Sequence, residues 1–321
     1  MSVPFIHLYI NGGECPASSQ ATFNVLNPFS GTLVMRVASA SRTDCKRAVD
    51  AAADAFRTWE HSPLGSRRDY LLKAADLLAT PRYQEKAASA LKEEASAGDF
   101  LVGCNLHVAT EWPRWIATLV SELKGETFPS SVPGGQIVAL RRAQGVILAI
   151  APWKAPLFLT VRAICYPIIC GNTVVLKTSE ISPRCQYLIA ELFAEAGSPK
   201  GVLNVIHTSK KDAPARTAEI IADPPLKKIN FTGSDRVGKI LAAEAAKYLK
   251  PCVFELGGKA PVIVSLQVLL LQLVRARTIG RMSDLGMDCG PAERVRGWML
   301  RLRECQVPRS RECARALACF A

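Results

Sequence analysis

Four short stretches combine residue types that can do chemistry. In CVFELGGKAP, residues 252–261, Glu255 closes an apolar run and is followed by Gly257 and Gly258. A carboxylate at a strand end among apolar neighbours is predicted to have a raised pKa and to serve as a general base. The paired glycines leave room for a ligand to approach the backbone. In VVLKTSE, Lys177 and Glu180 follow an apolar run, at the carboxyl end where α/β sheets gather their ligands. An ammonium and a carboxylate there can hydrogen-bond ribose hydroxyls. In NFTGSDRVGK, Gly233 and Ser234 make a turn that opens a helix containing Gly238. Backbone N–H groups at a helix start attract phosphate, although the spacing is not the G-x-G-x-x-G fingerprint. In AIAPWKAP, Trp153 and Lys154 end another apolar run beside the same crevice. Each stretch taken singly also has a plain structural reading: a local ion pair for Glu255, a solvated strand end for Lys177 and Glu180, and simple turns for the other two.

Elements able to position these residues alternate along the first 260 positions. TDCKRAVDAAADAFRTWEH opens on Thr43, which can cap, and sets Val49, Ala52, Phe56 and Trp59 on one helical face. Residues 63–80 and 84–97 show the same spacing. Short continuous apolar runs at 145–152, 172–179, 201–207, 227–234, 252–256 and 261–265 read as buried strands, separated by helices at 183–197 and 237–249. The pattern predicts an α/β fold with a parallel sheet covered by helices on both faces. Residues 129–136 are loop-like and lead into an edge strand or protruding ribbon, about 129–145.

The 321 residues can bury a sizeable core, with 49% of them hydrophobic. The N-terminus lacks a basic segment followed by an apolar stretch, and no apolar run is long enough to span a bilayer, so a cytoplasmic protein without a membrane partner is expected. Eleven scattered cysteines fit reduced thiols better than a disulfide framework. The formal charge of +12 is uneven: from Ser265 onward there are ten arginines, five acids and no lysine. Four cysteines, Cys289, Cys305, Cys313 and Cys319, lie in that tail. Only Trp298 interleaves the arginines, so a nucleic-acid partner is not expected. No metal site is expected.

Read in order, APW, VVLKTSE, FTGSDRVG and ELGGK resemble the aldehyde dehydrogenase superfamily, in the branch that oxidises salicylaldehyde and vanillin. The resemblance covers roughly residues 5–264, including FNVLNPFSG and GNTVVLK. It implies a variant Rossmann domain over residues 1–255 that binds NAD, with an oligomerisation ribbon, and an incomplete catalytic domain over 256–321, truncated or aberrant after about residue 264. Lys177 and Glu180 then match the positions that hold the adenine ribose, and a glutamate there disfavours a 2′-phosphate. Ser234 matches the residue near the pyrophosphate. Trp153, Gly233, Gly238, Leu256 and Gly257 complete the implied cofactor set. Glu255 matches the general base. The nucleophilic cysteine of the family falls 34 residues later, which is Cys289, with Gly286, Glu293 and Arg294 in register.

Three departures accompany the match. Lys154 stands where the family has an asparagine that donates to the oxyanion, and losing such a donor costs about 100- to 1,000-fold in rate. Asp288 beside Cys289 disfavours the thiolate. The text after Val295 resembles nothing in the family. The implied activity is NAD-dependent oxidation of a small or aromatic aldehyde to the acid through a cysteine thiohemiacetal and thioester. The alternative is an inactive relative that at most binds NAD. A homo-oligomer is compatible with the ribbon, although its partner strand is missing.

Overall fold

The computed structural model describes residues 3–258. In chain order its elements are β1 (Phe5–Ile6), β2 (Leu8–Ile10), β3 (Gly13–Cys15), β4 (Thr22–Leu26), β5 (Leu33–Ala38), α1 (Arg42–Trp59), α2 (Leu64–Leu78), α3 (Pro81–Ala95), α4 (Asp99–Thr118), β6 (Glu126–Pro129), β7 (Gln136–Ala139), β8 (Val146–Ile150), α5 (Pro156–Ile169), β9 (Thr173–Lys177), α6 (Pro183–Ala196), β10 (Leu203–Ile206), α7 (Ala213–Ala222), β11 (Leu226–Gly233), α8 (Asp235–Ala246) and β12 (Cys252–Leu256).

The main sheet has seven strands in the order β12-β11-β8-β9-β10-β2-β3. Its first five are parallel, as expected from their apolar runs. The β9 and β10 segments are buried throughout, because helices cover both faces. On one face α2, α4, α5 and α6 enclose Ala149, Val174, Leu176 and Val205. On the other, α1, α7 and α8 pack on Leu148, Val175, Ile229 and Phe231.

The sheet is not wholly parallel. The N-terminal hairpin adds β2 antiparallel to β10 and β3 antiparallel to β2. Asn11 and Gly12 join them with φ of 55° and 78°, the left-handed pair that a tight hairpin turn requires. A second sheet, β1-β5-β4, lies in the same N-terminal region. The cap of α1 also differs from expectation. Ser41, not Thr43, takes the role: its Oγ accepts from Asp44 N while the Asp44 carboxylate accepts from Ser41 N. The ribbon is the hairpin β6–β7, whose strands are exposed on every residue, and it begins and ends a few residues earlier than the sequence suggests.

The chain runs from β8 to β9 to β10 in one direction, then crosses back to place β11 on the far side of β8. The order reverses between β8 and β11. Loops leaving the carboxyl ends of those two strands diverge there and open a crevice, the place where such sheets receive ligands. Among the described residues no helix is long and apolar enough to cross a membrane.

Candidate active site

The residues singled out in the sequence lie at or just after the carboxyl ends of β8, β9, β11 and β12. Trp153 and Lys154 follow β8 in the turn to α5, both exposed, Trp153 by 49%. Gly233 ends β11 and Ser234 caps α8, accepting from Val237 N at 3.4 Å. Lys177 ends β9, with Glu180 three residues on. Glu255 lies on β12 in register with Thr232.

Lys177 is the least expected of these in its surroundings. It is only 7% exposed, and among the described residues its ammonium donates to a single acceptor, the Thr178 carbonyl, at 3.3 Å. Burial pushes its pKa down, and the Glu180 carboxylate opposes that shift. A buried ammonium has three donors, and one neutral carbonyl leaves the others unmatched. The loop that carries it is firmly held. Thr178 N donates to Ile206 O at 3.1 Å, and Thr178 Oγ1 lies 2.7 Å from Nδ1 of the buried His207. Ser179 N donates to Gln186 Oε1 at 2.6 Å, and Ile181 N to Ser179 Oγ at 3.2 Å.

Two of the glycines make room for a neighbouring side chain. A Cβ built on Gly238 would lie 2.7 Å from Leu256 Cδ2, so the missing side chain lets α8 pack on β12. A Cβ on Gly233 would meet the ring of Phe231 at 2.4 Å. Both positions answer to a neighbouring side chain. Among the described residues nothing lies within 4 Å of a Cβ built on Gly257.

Glu255 is not in the apolar surroundings predicted for it. Its side chain is 64% exposed, because β12 is the edge strand among the described residues. Its partner is Arg162 of α5, whose Nη1 lies 3.8 Å from Glu255 Oε2 while Nη2 donates to Thr232 Oγ1 at 3.0 Å. Both side chains line a cavity of about 860 Å³ together with Trp112, Tyr166, Cys170 and Asn230. Sequence reading missed this wall, since residues 156–169 were not read as a helix. Arg162 is the one charged residue in that apolar stretch, and that contrast was the available signal. Cys289 lies outside the described residues, so its relation to Glu255 rests on spacing alone.

Residues 16–296 match the model of the aldehyde dehydrogenase family. The chain belongs to the aldehyde dehydrogenase family. The match runs through the position of Cys289. A vanillin dehydrogenase from Pseudomonas fluorescens is 42% identical over 290 residues, covering 90% of this chain and 60% of that one. The crystal structure of a salicylaldehyde dehydrogenase from Pseudomonas putida, complexed with salicylaldehyde, superposes with a TM-score of 0.78 at 39% identity, over 81% of this chain and 53% of that one. An NAD-dependent aldehyde dehydrogenase from Sinorhizobium meliloti follows the same fold, with a TM-score of 0.75 at 30% identity over 80% and 51% of the two chains. This aldehyde dehydrogenase chain spans about 60% of the length of the curated relatives it matches.

Proposed function

We propose that the chain carries the cofactor side of an NAD-dependent aldehyde dehydrogenase that oxidises an aromatic aldehyde to its acid. The observation that carries this reading is Lys177, a buried ammonium with unmatched donors at the carboxyl end of β9, beside the point where strand order reverses. A ribose presents the hydroxyls such a group lacks, and Glu180 can accept from them. Ser234 and the amino end of α8 are the candidate partners of a pyrophosphate, since backbone N–H groups at a helix start attract phosphate. When bound, NAD supplies the hydride acceptor. Cys289 is the nucleophile in this reading, attacking the aldehyde carbonyl, and Glu255 removes a proton from the water that releases the acid. Lys154, exposed in the turn after β8, is the candidate donor to the oxyanion. Residues 1–255 form the cofactor domain and 256–321 belong to the catalytic one.

The exposed β6–β7 hairpin, with Ile137 and Val138 on its surface, supports assembly with a second copy of the chain. All seven cysteines among the described residues are free thiols, which supports a reducing, cytoplasmic setting.

A second reading is favoured by the exposure of Glu255 and by lysine at position 154: a chain that binds NAD without turning over aldehyde. One experiment separates the two. NAD is titrated calorimetrically into the purified chain, and absorbance of reduced nicotinamide is followed with vanillin, salicylaldehyde and benzaldehyde. Binding with turnover that Cys289→Ala abolishes supports the enzyme. Binding without turnover supports the second reading. Absence of NAD binding defeats both.

A further inference from the structure

Gln186, the fourth residue of α6, is fully buried, and all three of its hydrogen bonds reach other segments. Its Oε1 accepts from Ser179 N at 2.6 Å, and its Nε2 donates to Thr160 Oγ1 at 2.9 Å and to Ala151 O at 3.3 Å. The orientation of the amide is fixed by its partners, since a backbone N–H only donates and a carbonyl only accepts. Ser179 lies between Lys177 and Glu180. Ala151 lies two residues before Trp153, and Thr160 sits early in α5. The ladder between β8 and β9 ends at the pair Ile150 and Lys177. Beyond that pair, Gln186 bridges the loops after β8 and β9, which lead to α5 and α6 on one face of the sheet, and among the described residues no hydrogen bond joins them directly. Burying an amide costs free energy unless it is fully bonded, so an apolar side chain would serve packing alone at least as well.

We infer that Gln186 is a positioning residue: it fixes the separation of the loops after β8 and β9, and that separation sets the affinity for the nicotinamide cofactor. The inference rests on the cofactor reading above. Gln186→Leu keeps the bulk and removes every bond. Gln186→Glu keeps the acceptor for Ser179 N, and regains a donor for Ala151 O or Thr160 Oγ1 only when its carboxyl is protonated.

The test measures NAD affinity of the full chain by calorimetry, with the melting temperature recorded for each variant. Ile169→Val, a conservative change in the fully buried last residue of α5, is the control for general loss of stability. Gln186→Leu is expected to weaken NAD binding about tenfold or more, and Ile169→Val to leave it within about twofold at a comparable melting temperature. Gln186→Glu is expected to bind better at about pH 5 than at about pH 8, against a flatter profile for the unsubstituted chain. Unchanged affinity in Gln186→Leu overturns the proposal while leaving the cofactor site standing, and so does an equal loss in Ile169→Val. Failure of the unsubstituted chain to bind NAD overturns the site itself, and this proposal with it.

Discussion

Arg162 Nη1 stands 3.8 Å from Glu255 Oε2, and the same guanidinium donates to Thr232 on the neighbouring strand. One helix thus aims the carboxylate of the edge strand toward the cavity. Because Glu255 is largely exposed, the ion pair itself contributes little to stability, about 1 kcal/mol at most. Arg162→Met is therefore expected to leave the melting temperature nearly unchanged while lowering kcat about tenfold or more. Glu255→Gln removes the proposed base and is expected to lower turnover about 100-fold or more, with NAD affinity intact. Steady-state kinetics alongside calorimetry check both. A large drop in melting temperature for Arg162→Met would show that the arginine is structural.

If Lys177 holds the cofactor ribose as proposed, it sets function against stability. Its ammonium is buried with one neutral acceptor, a costly arrangement in the free protein. Lys177→Met is expected to raise the melting temperature, or at least to preserve it, while NAD affinity falls about 10- to 100-fold, the worth of hydrogen bonds from a charged donor. If the substitution destabilises the fold and spares affinity, the ribose assignment is wrong.

Two buried groups give opposing pH dependences. Burial drives the His207 pKa down to about 3, with Nε2 facing the His7 carbonyl and Nδ1 the Thr178 hydroxyl. Its folded pKa lies below its unfolded value near 6.5, so its stabilisation is present above that value and is lost as pH falls toward 3. Glu94 behaves the other way. Burial raises its carboxyl to about 7, although Arg184 N and Cys185 N at the start of α6 donate to it. Its contribution is present below about 4.5 and is lost as pH rises through 7. Between about 4.5 and 6.5 the two slopes oppose each other, each approaching about 1.4 kcal/mol per pH unit. Urea unfolding at several pH values is expected to show Glu94→Gln losing stability more steeply on acidification than the parent. His207→Gln is expected to gain stability over the same interval. Parallel curves for all three proteins would rule out both titrations.

Gly238 tests the packing of α8. An alanine there gains up to about 1 kcal/mol of helix propensity and must displace the Leu256 side chain, which is partly exposed and can rotate. Gly238→Ala is expected to stay within about 1 kcal/mol of the parent, and Gly238→Val to lose about 1–3 kcal/mol. Chemical denaturation measures both. If Gly238→Val keeps full stability but loses NAD binding, the glycine serves the cofactor after all.

The five parallel strands were legible from residue order, because a strand buried on both faces must be a short continuous apolar run; of the four helices between them, α6 and α8 were read and α5 and α7 were not. The strand Cys252–Leu256 was read to the residue, and the loops bearing Lys177, Ser234 and Trp153 were placed correctly at strand ends. Those features depend on local composition. The antiparallel hairpin that extends the sheet was not read, since it joins Tyr9 to Val205, nearly 200 residues away along the chain. Residue type could not show whether Gly238 makes room for a phosphate or for Leu256, nor that Glu255 sits exposed beside Arg162, nor that Gln186 spans two loops. Each of these depends on which side chain arrives from another segment, and that follows from strand order and helix packing, where contacts between distant positions replace the influence of neighbours in the chain.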